Sequence, residues 1–311
     1  MKVPSLPVHQ SSIKMPKAPA KTSQIFDNVA AAYEASTGGC TRDLARHMLA
    51  LAPAITPGSV IHDNACGTGI VAQEIVTRDI LSQPPPNHSH ALTIHCTDKS
   101  EKMIHLAQSW YENQKAATNM QTVFPGVRVE FEAAPSENLT FKNELFTHSF
   151  TNCGILWFDD GLTGAREILR TLKRGGTAVV SSWKEMNIFD IAKEAQRACG
   201  QQEPLFRPPV DEKWFDAGHL DSVLREAGFE DVQVVERAVH FGGKDVDEVC
   251  GHLMGLLGQL FQGWDGDEDF SRQLETVVGD RVIRFDRPVA EGAKELVGIP
   301  MVALVAVGSK K

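Results

Sequence analysis

The chain has 311 residues, 42% of them apolar and 23% charged, and carries a formal net charge of -9. That describes an ordinary folded globular protein with a sizeable core. An acidic balance with no basic stripe argues against nucleic acid and anionic membrane as partners, because phosphate binding needs clustered Lys and Arg. Six cysteines, Cys40, Cys66, Cys96, Cys153, Cys199 and Cys250, are widely spaced without a C-x-x-C pair. That spacing argues against a zinc site or a disulfide framework, and a reducing cytoplasm is the simplest compartment. No stretch of 18 apolar residues and no secretory h-region is present.

Residues 1–22 hold four prolines, four lysines and no acids, and read as a disordered tail. From residue 23 to 52 the spacing is helical, broken at Gly38-Gly39. Residues 59–63 form a first strand, followed by a small-residue turn and a helix that buries Val71, Ala72, Ile75 and Val76. The loop around Gln83–His90 is polar and proline-rich, and its His88 and His90 read as solvated. Leu92–Asp98 is a second strand, with Ser100 as the cap of the next helix. Val127–Phe131 is a third strand and Phe146–Cys153 a fourth. A helix then runs to Gly175-Gly176, and Thr177–Ser181 makes a fifth strand. Leu220–Ala227 is an amphipathic helix, Val232–Val235 a sixth strand, and Val302–Val307 a seventh.

This alternation predicts an α/β fold with a doubly wound, seven-stranded sheet, mostly parallel. Residues 23–311 read as a single domain. Residues 23–52 and 240–298 exceed what the sheet needs and are expected to form a helical cap. Asp265–Asp269 has a superficial likeness to a calcium loop. Phe270 stands where that pattern needs glycine and Thr276 where it needs glutamate, so no metal is implied.

In such a sheet ligands bind at the carboxyl ends of the strands, near the topological switch point. The informative residues are therefore at those ends. Five segments there resemble class I S-adenosylmethionine (SAM)-dependent methyltransferases, in the ubiquinone-methyltransferase-like branch that includes small-molecule enzymes of fungal secondary metabolism. Asp63-Asn64-Ala65-Cys66-Gly67-Thr68-Gly69 resembles that family's glycine loop. Thr97–Ile104 resembles its second strand end, where an acid meets the ribose. Ser136–Phe141 resembles the segment that lines adenine, and Leu169–Gly176 the turn before the fifth strand. His219–Phe229 resembles the helix before the sixth strand. The resemblance covers about residues 59–238 and implies the class I domain, its antiparallel last strand and its cofactor SAM.

Within that span the expected cofactor contacts are Asp63, Asn64, Ala65, Cys66, Gly67, Gly69, Asp98, Lys99, Met103, Ser136, Glu137, Asn152 and Cys153, and Tyr33 of the N-terminal helix is expected to close over SAM. Two departures stand out. Ala65 replaces the first glycine of the loop, and Pro135 stands where the family often has an aspartate for the adenine amino group. The expected partner is a small-molecule methyl acceptor, with O-methylation first and N- or S-methylation close behind. Its candidate contacts are Phe26, Trp157, Phe158, Trp183 and His252. His252 is also the candidate general base, against the plainer reading of a satisfied core histidine. His62, His95 and His148 read as packing residues. Two alternatives remain open at this stage. One is a non-catalytic SAM-binding regulatory protein. The other is a nicotinamide-dependent oxidoreductase, because Gly67–Ala72 also satisfies G-x-G-x-x-A. The sequence does not fix the oligomeric state.

Overall fold

A computed structural model of the chain describes residues 26–27, 30, 33–80, 91–118, 126–202, 205–261, 266–289 and 292–311. The expected tail, the loop with His88 and His90, and Asp265 lie outside them.

Eight strands make one sheet: β1 Val60–Asn64, β2 Leu92–Asp98, β3 Val127–Ala133, β4 Phe146–Thr151, β5 Leu172–Glu185, β6 Glu230–Gly243, β7 Ile283–Val289 and β8 Gly292–Ser309. Their order is β3-β2-β1-β4-β5-β8-β6, with β7 on the free part of β8. The first five strands are parallel to one another, and β8 runs antiparallel to both β5 and β6. The order reverses between β1 and β4, which puts the switch point beside the glycine loop.

The sequence reading differs here in three places. The strand count is eight rather than seven, because residues 283–289 lie inside the segment expected to be purely helical. None of its described residues is fully buried, because β7 is an edge strand, and Arg287 interrupts the alternation of apolar Ile283, Phe285 and Val289 in the sequence. The fifth strand begins at Leu172, so the preceding helix stops at Thr171 rather than at Gly175-Gly176. Strands β6 and β8 run well beyond their predicted cores and pair from Glu230↔Ser309 to Gly243↔Val297.

The helices are α1 Tyr33–Ser36, α2 Cys40–Leu51, α3 Ile70–Glu74, α4 Glu101–Ala117, α5 Gly161–Thr171, α6 Asn187–Ala198, α7 Ala217–Ala227, α8 Val246–Leu260 and α9 Glu268–Arg281. Five of them start on side-chain caps. Ser100 Oγ accepts from Met103 N–H, and Asp160, Asp216, Asp245 and Asp267 do the same for α5, α7, α8 and α9. Each cap satisfies a donor that the first turn leaves unpaired. Asp267, from the calcium-like stretch, has this capping role.

Helix α2 buries Cys40, Thr41, Leu44, Ala45 and Met48 along one stripe and packs on α3 and β6. Helix α8 packs on α9, β6 and α1. The central strands supply the core, including Ile61, Ile94, Phe146, Phe150, Leu304 and Val305. His62 belongs to that core: its ring stacks on Phe146 at 4.6 Å and its Nε2 lies 2.9 Å from Thr97 Oγ1. Burial pushes its pKa down to about 3, so it stays neutral.

Candidate active site

The chain leaves β1 through a tight loop that needs left-handed backbone at Ala65, Gly67 and Gly69, with φ of 50°, 55° and 82°. Glycine takes that conformation freely; Ala65 takes it at a steric cost. Gly69 is also a close-packing position, because a Cβ there would stand 3.2 Å from the Ala107 methyl of α4.

Two carboxylates hold this loop. Asp98, at the end of β2, accepts from Gly67 N–H at 2.9 Å and from Ser100 N–H at 2.8 Å. Burial raises its pKa, against the two N–H bonds that favour the charged form. Asp63, at the end of β1, accepts from Ala72 N–H at 3.0 Å, while its second oxygen is buried without a protein partner. Burial pushes its pKa up to about 8.

Beside the loop lies a cavity of about 510 Å³. Ten of the residues singled out for SAM line it: Tyr33, Ala65, Gly67, Asp98, Lys99, Met103, Ser136, Glu137, Asn152 and Cys153. Asp63, Asn64, Cys66 and Gly69 do not line it. Asn64 works behind the wall, donating to Thr151 Oγ1 and accepting from Ser136 Oγ at 3.0 Å. Cys66 N–H donates to Thr97 O. These four shape the loop rather than face the space beside it. Pro135 is exposed and not part of the lining, and its carbonyl accepts from Asn138 N–H.

The polar ends of Lys99 and Glu137 are turned to a different task from the one their motifs suggest. Lys99 Nζ donates to the Trp157 carbonyl at 3.1 Å, and Glu137 Oε1 accepts from Asp159 N–H at 2.6 Å. Together they latch the segment after β4, where Ile155–Trp157 makes one 3-10 turn. Trp157 is thereby held over the cavity, edge-on to Phe26 at 5.1 Å.

A second cavity of about 740 Å³ adjoins the first. The two share Phe26, Tyr33, Cys153 and Trp157 in their walls. Of the residues proposed for the acceptor, Phe26, Trp157 and Trp183 line the larger cavity and Phe158 lines the smaller one. His252 lines neither; its Nδ1 lies 3.2 Å from the Gly242 carbonyl. The geometry therefore gives it the plainer role of a hydrogen-bonded helix residue.

The sequence reading missed most of the larger cavity. Thr37, Cys40 and Thr41 come from the α1–α2 turn, Met186 and Phe189 from the start of α6, and Pro208 to Val210 from the following loop. Phe241, Leu256 and Met301 come from β6, α8 and β8. Only the Gly38-Gly39 break before Cys40 was a local signal. Among the described lining residues none is Asp, Glu, His, Lys or Arg. The ionisable groups present are Tyr33, Cys40 and Cys153. Burial raises the pKa of all three, Cys153 to about 12, so they stay protonated at neutral pH. Cys153 itself has a left-handed φ of 51°, and its N–H donates to Ser181 Oγ at 2.9 Å.

Among the described residues no helix is long and apolar enough to cross a membrane. The profile of the ubiE/COQ5 methyltransferase family matches residues 15–197. Methyltransferase tpcH of Aspergillus fumigatus is 26% identical over 267 residues, covering 81% of this chain and 84% of that protein. The acetylaranotin bis-thiomethyltransferase of Aspergillus terreus is 28% identical over 180 residues, 56% of each chain. Among solved structures, the cyclase SpnF matches with a TM-score of 0.54 at 15% identity, over 95% of this chain and 98% of that one. That likeness shows the fold alone, since one scaffold hosts different chemistries. The family match, which spans well over half of the chain, removes the nicotinamide alternative: the chain belongs to the ubiE/COQ5 methyltransferase family and is a SAM-dependent methyltransferase.

Proposed function

We propose that the smaller cavity holds SAM and that the larger one holds an uncharged, largely apolar small molecule as methyl acceptor. The observation that carries this is the contrast between the two walls, one carrying Asp98, Lys99, Glu137 and open backbone, the other with no formal charge among its described residues. The name of the Aspergillus terreus relative, an acetylaranotin bis-thiomethyltransferase, supports a small-molecule acceptor.

SAM fits the residues present. Each Asp98 oxygen already accepts one N–H and keeps a lone pair for a ribose hydroxyl. The left-handed backbone at Ala65 and Gly67 brings main chain close to the cavity, where the amino acid part would lie. Ser136 and Glu137 would frame adenine. Bound there, SAM supplies an electrophilic methyl on a sulfonium with its leaving group built in.

The chain's own work is then alignment and exclusion of water. Phe26, Tyr33, Cys153 and Trp157 form the shared wall and would guide the acceptor atom toward the methyl. Orientation of this kind is worth roughly 7–11 kcal/mol. Among the described residues no carboxylate or imidazole lines the larger cavity, and none of them offers a general base there. We infer an acceptor atom that reaches its nucleophilic form unaided, a thiol sulfur or an acidic phenol oxygen. The bis-thiomethyltransferase relative favours sulfur. The residues of 23–52 and 240–298 that line the larger cavity act as the cap over it. We place the protein in the cytoplasm, as its unpaired cysteines suggest.

The test is to incubate the protein and SAM with matched thiols, phenols, amines and aliphatic alcohols and to measure S-adenosylhomocysteine. Turnover confined to charged or aliphatic-alcohol acceptors would overturn the reading.

A further inference from the structure

The α1–α2 turn, Thr37-Gly38-Gly39, stands between the larger cavity and strand β7 at the edge of the sheet. On its inner side are Tyr33, Thr37, Cys40 and Thr41, all in the wall of the larger cavity. On its outer side is Arg287 of β7, the strand that the sequence did not disclose. The Arg287 guanidinium donates through Nη2 to the carbonyls of Gly38 at 2.8 Å and His240 at 2.9 Å. Its Nε donates to Asp43 Oδ2 at 2.9 Å. One planar fork thus ties together the turn, β6 and α2.

This is not a surface ion pair. The side chains of Arg287 and Asp43 are 14% and 13% exposed, and the guanidinium lies 5.2 Å over the Phe285 ring. The turn is shaped to receive it. Gly38 and Gly39 have φ of 54° and 74°, and Gly242 N–H donates to the Gly38 carbonyl at 3.0 Å. A Cβ on Gly39 would stand 2.5 Å from Arg287 Nη1, and one on Gly38 would stand 2.7 Å from Gly242 N. Both positions need glycine for close approach as well as for conformation. Arg42 anchors the same region elsewhere, bonding Glu34 of α1 and reaching Glu74 of α3 at 2.8 Å and Gln73 at 2.6 Å. It does not reach the Gly38 carbonyl, where Arg287 Nη2 and Gly242 N–H both donate.

We infer that Arg287 is a positioning residue: it fixes the α1–α2 turn and so sets the place of Tyr33, Thr37, Cys40 and Thr41 along the larger cavity. Its relevance to catalysis rests on that cavity being the acceptor's, but the contact and its consequence do not. The test therefore needs no acceptor.

In the native chain Cys40, Cys66 and Cys96 are all buried. N-ethylmaleimide, a small neutral thiol reagent, is applied to the whole protein without ligand, and labelling is mapped peptide by peptide. Arg287→Met should speed labelling of Cys40 by about tenfold or more, as local opening of one segment does, while Cys66 and Cys96 stay slow. Arg287→Lys keeps the charge but not the fork, and should not restore slow labelling. Gly39→Ala attacks the contact from the turn side and should act like Arg287→Met. Unchanged Cys40 labelling in the folded variants would overturn the inference. So would parallel acceleration at all three cysteines, or failure of every variant to fold, because Arg287 would then hold the fold at large and not the turn.

Discussion

The two cavities share four side chains and otherwise differ in kind. The smaller one is made where parallel strands end, from backbone in left-handed conformation and from buried carboxyls that hold it. The larger one is lined mostly by apolar side chains drawn from α1, α2, α6, α8, β6, β8 and a loop, with no formal charge among its described residues. The first suits a ligand with a fixed polar pattern, read atom by atom. The second suits a ligand recognised by shape and apolar area. A methyltransferase needs both, since its donor is constant and its acceptor is where relatives can diverge.

The largest expected break falls on the polar side. Asp98→Ala removes the acceptor of two backbone N–H groups and the proposed partner of the ribose. Hydrogen bonds to a charged group contribute about 1.5–3 kcal/mol each, so SAM affinity should fall by about 100-fold or more in calorimetry. Affinity within a few-fold of the native chain would remove Asp98 from the cofactor site.

Next comes a pH effect that belongs to the polar side alone. The Asp63 carboxyl is raised to about 8 in the folded chain by burial, against about 3.9 when unfolded. The folded state therefore keeps a proton that the unfolded chain releases above pH 4. That stability is complete below about pH 4 and is lost as pH rises through 8, costing about 2 kcal/mol between pH 6 and 8. Denaturant melts without SAM should show this decline, and Asp63→Asn should flatten it. An unchanged slope in that variant would assign the decline to other groups.

The shared wall gives a mixed effect. Trp157→Ala removes the edge-on partner of Phe26 and part of both linings. SAM affinity and the acceptor's KM should both worsen by about tenfold, a scale set by loss of one buried aromatic contact. An effect on one ligand only would place Trp157 in a single cavity. The smallest change is expected on the apolar side. Leu260→Ala trims one wall residue and should raise the KM of an apolar acceptor by about threefold through lost buried area, with SAM affinity unchanged. A matching loss of SAM affinity would mean that the cavities are not separable.

These effects follow the line between what local sequence encodes and what it does not. The strand β2 was legible to the residue, as was the Ser100 cap, because periodicity and capping act over a few neighbouring residues. Ten of the fourteen proposed cofactor residues line the smaller cavity for the same reason: strand ends and the loops after them converge at the switch point. The exceptions are instructive. Asp63 and Asn64 carry the motif's chemistry but spend it on holding the loop. Lys99 and Glu137 reach the cavity, yet their charged ends latch the Trp157 segment. His252 had the right residue type on an apolar helix, and only the placement of α8 beside the Gly242 carbonyl shows how it is satisfied.

By itself the sequence determined seven of the eight described strands, the glycine loop and the family. Each is written in contiguous residues whose backbone geometry and alternation survive without knowledge of distant neighbours. Only the tertiary structure decided the apolar cavity and the clamp on its wall. Thr41, Phe241, Leu256 and Met301 lie far apart in the chain, and apolar packing is non-directional, so no spacing announces which of them will meet. Arg287 reaches Gly38 across 249 positions because an edge strand happens to pair with the overhang of β8. That pairing depends on the whole sheet, and no local pattern carries it.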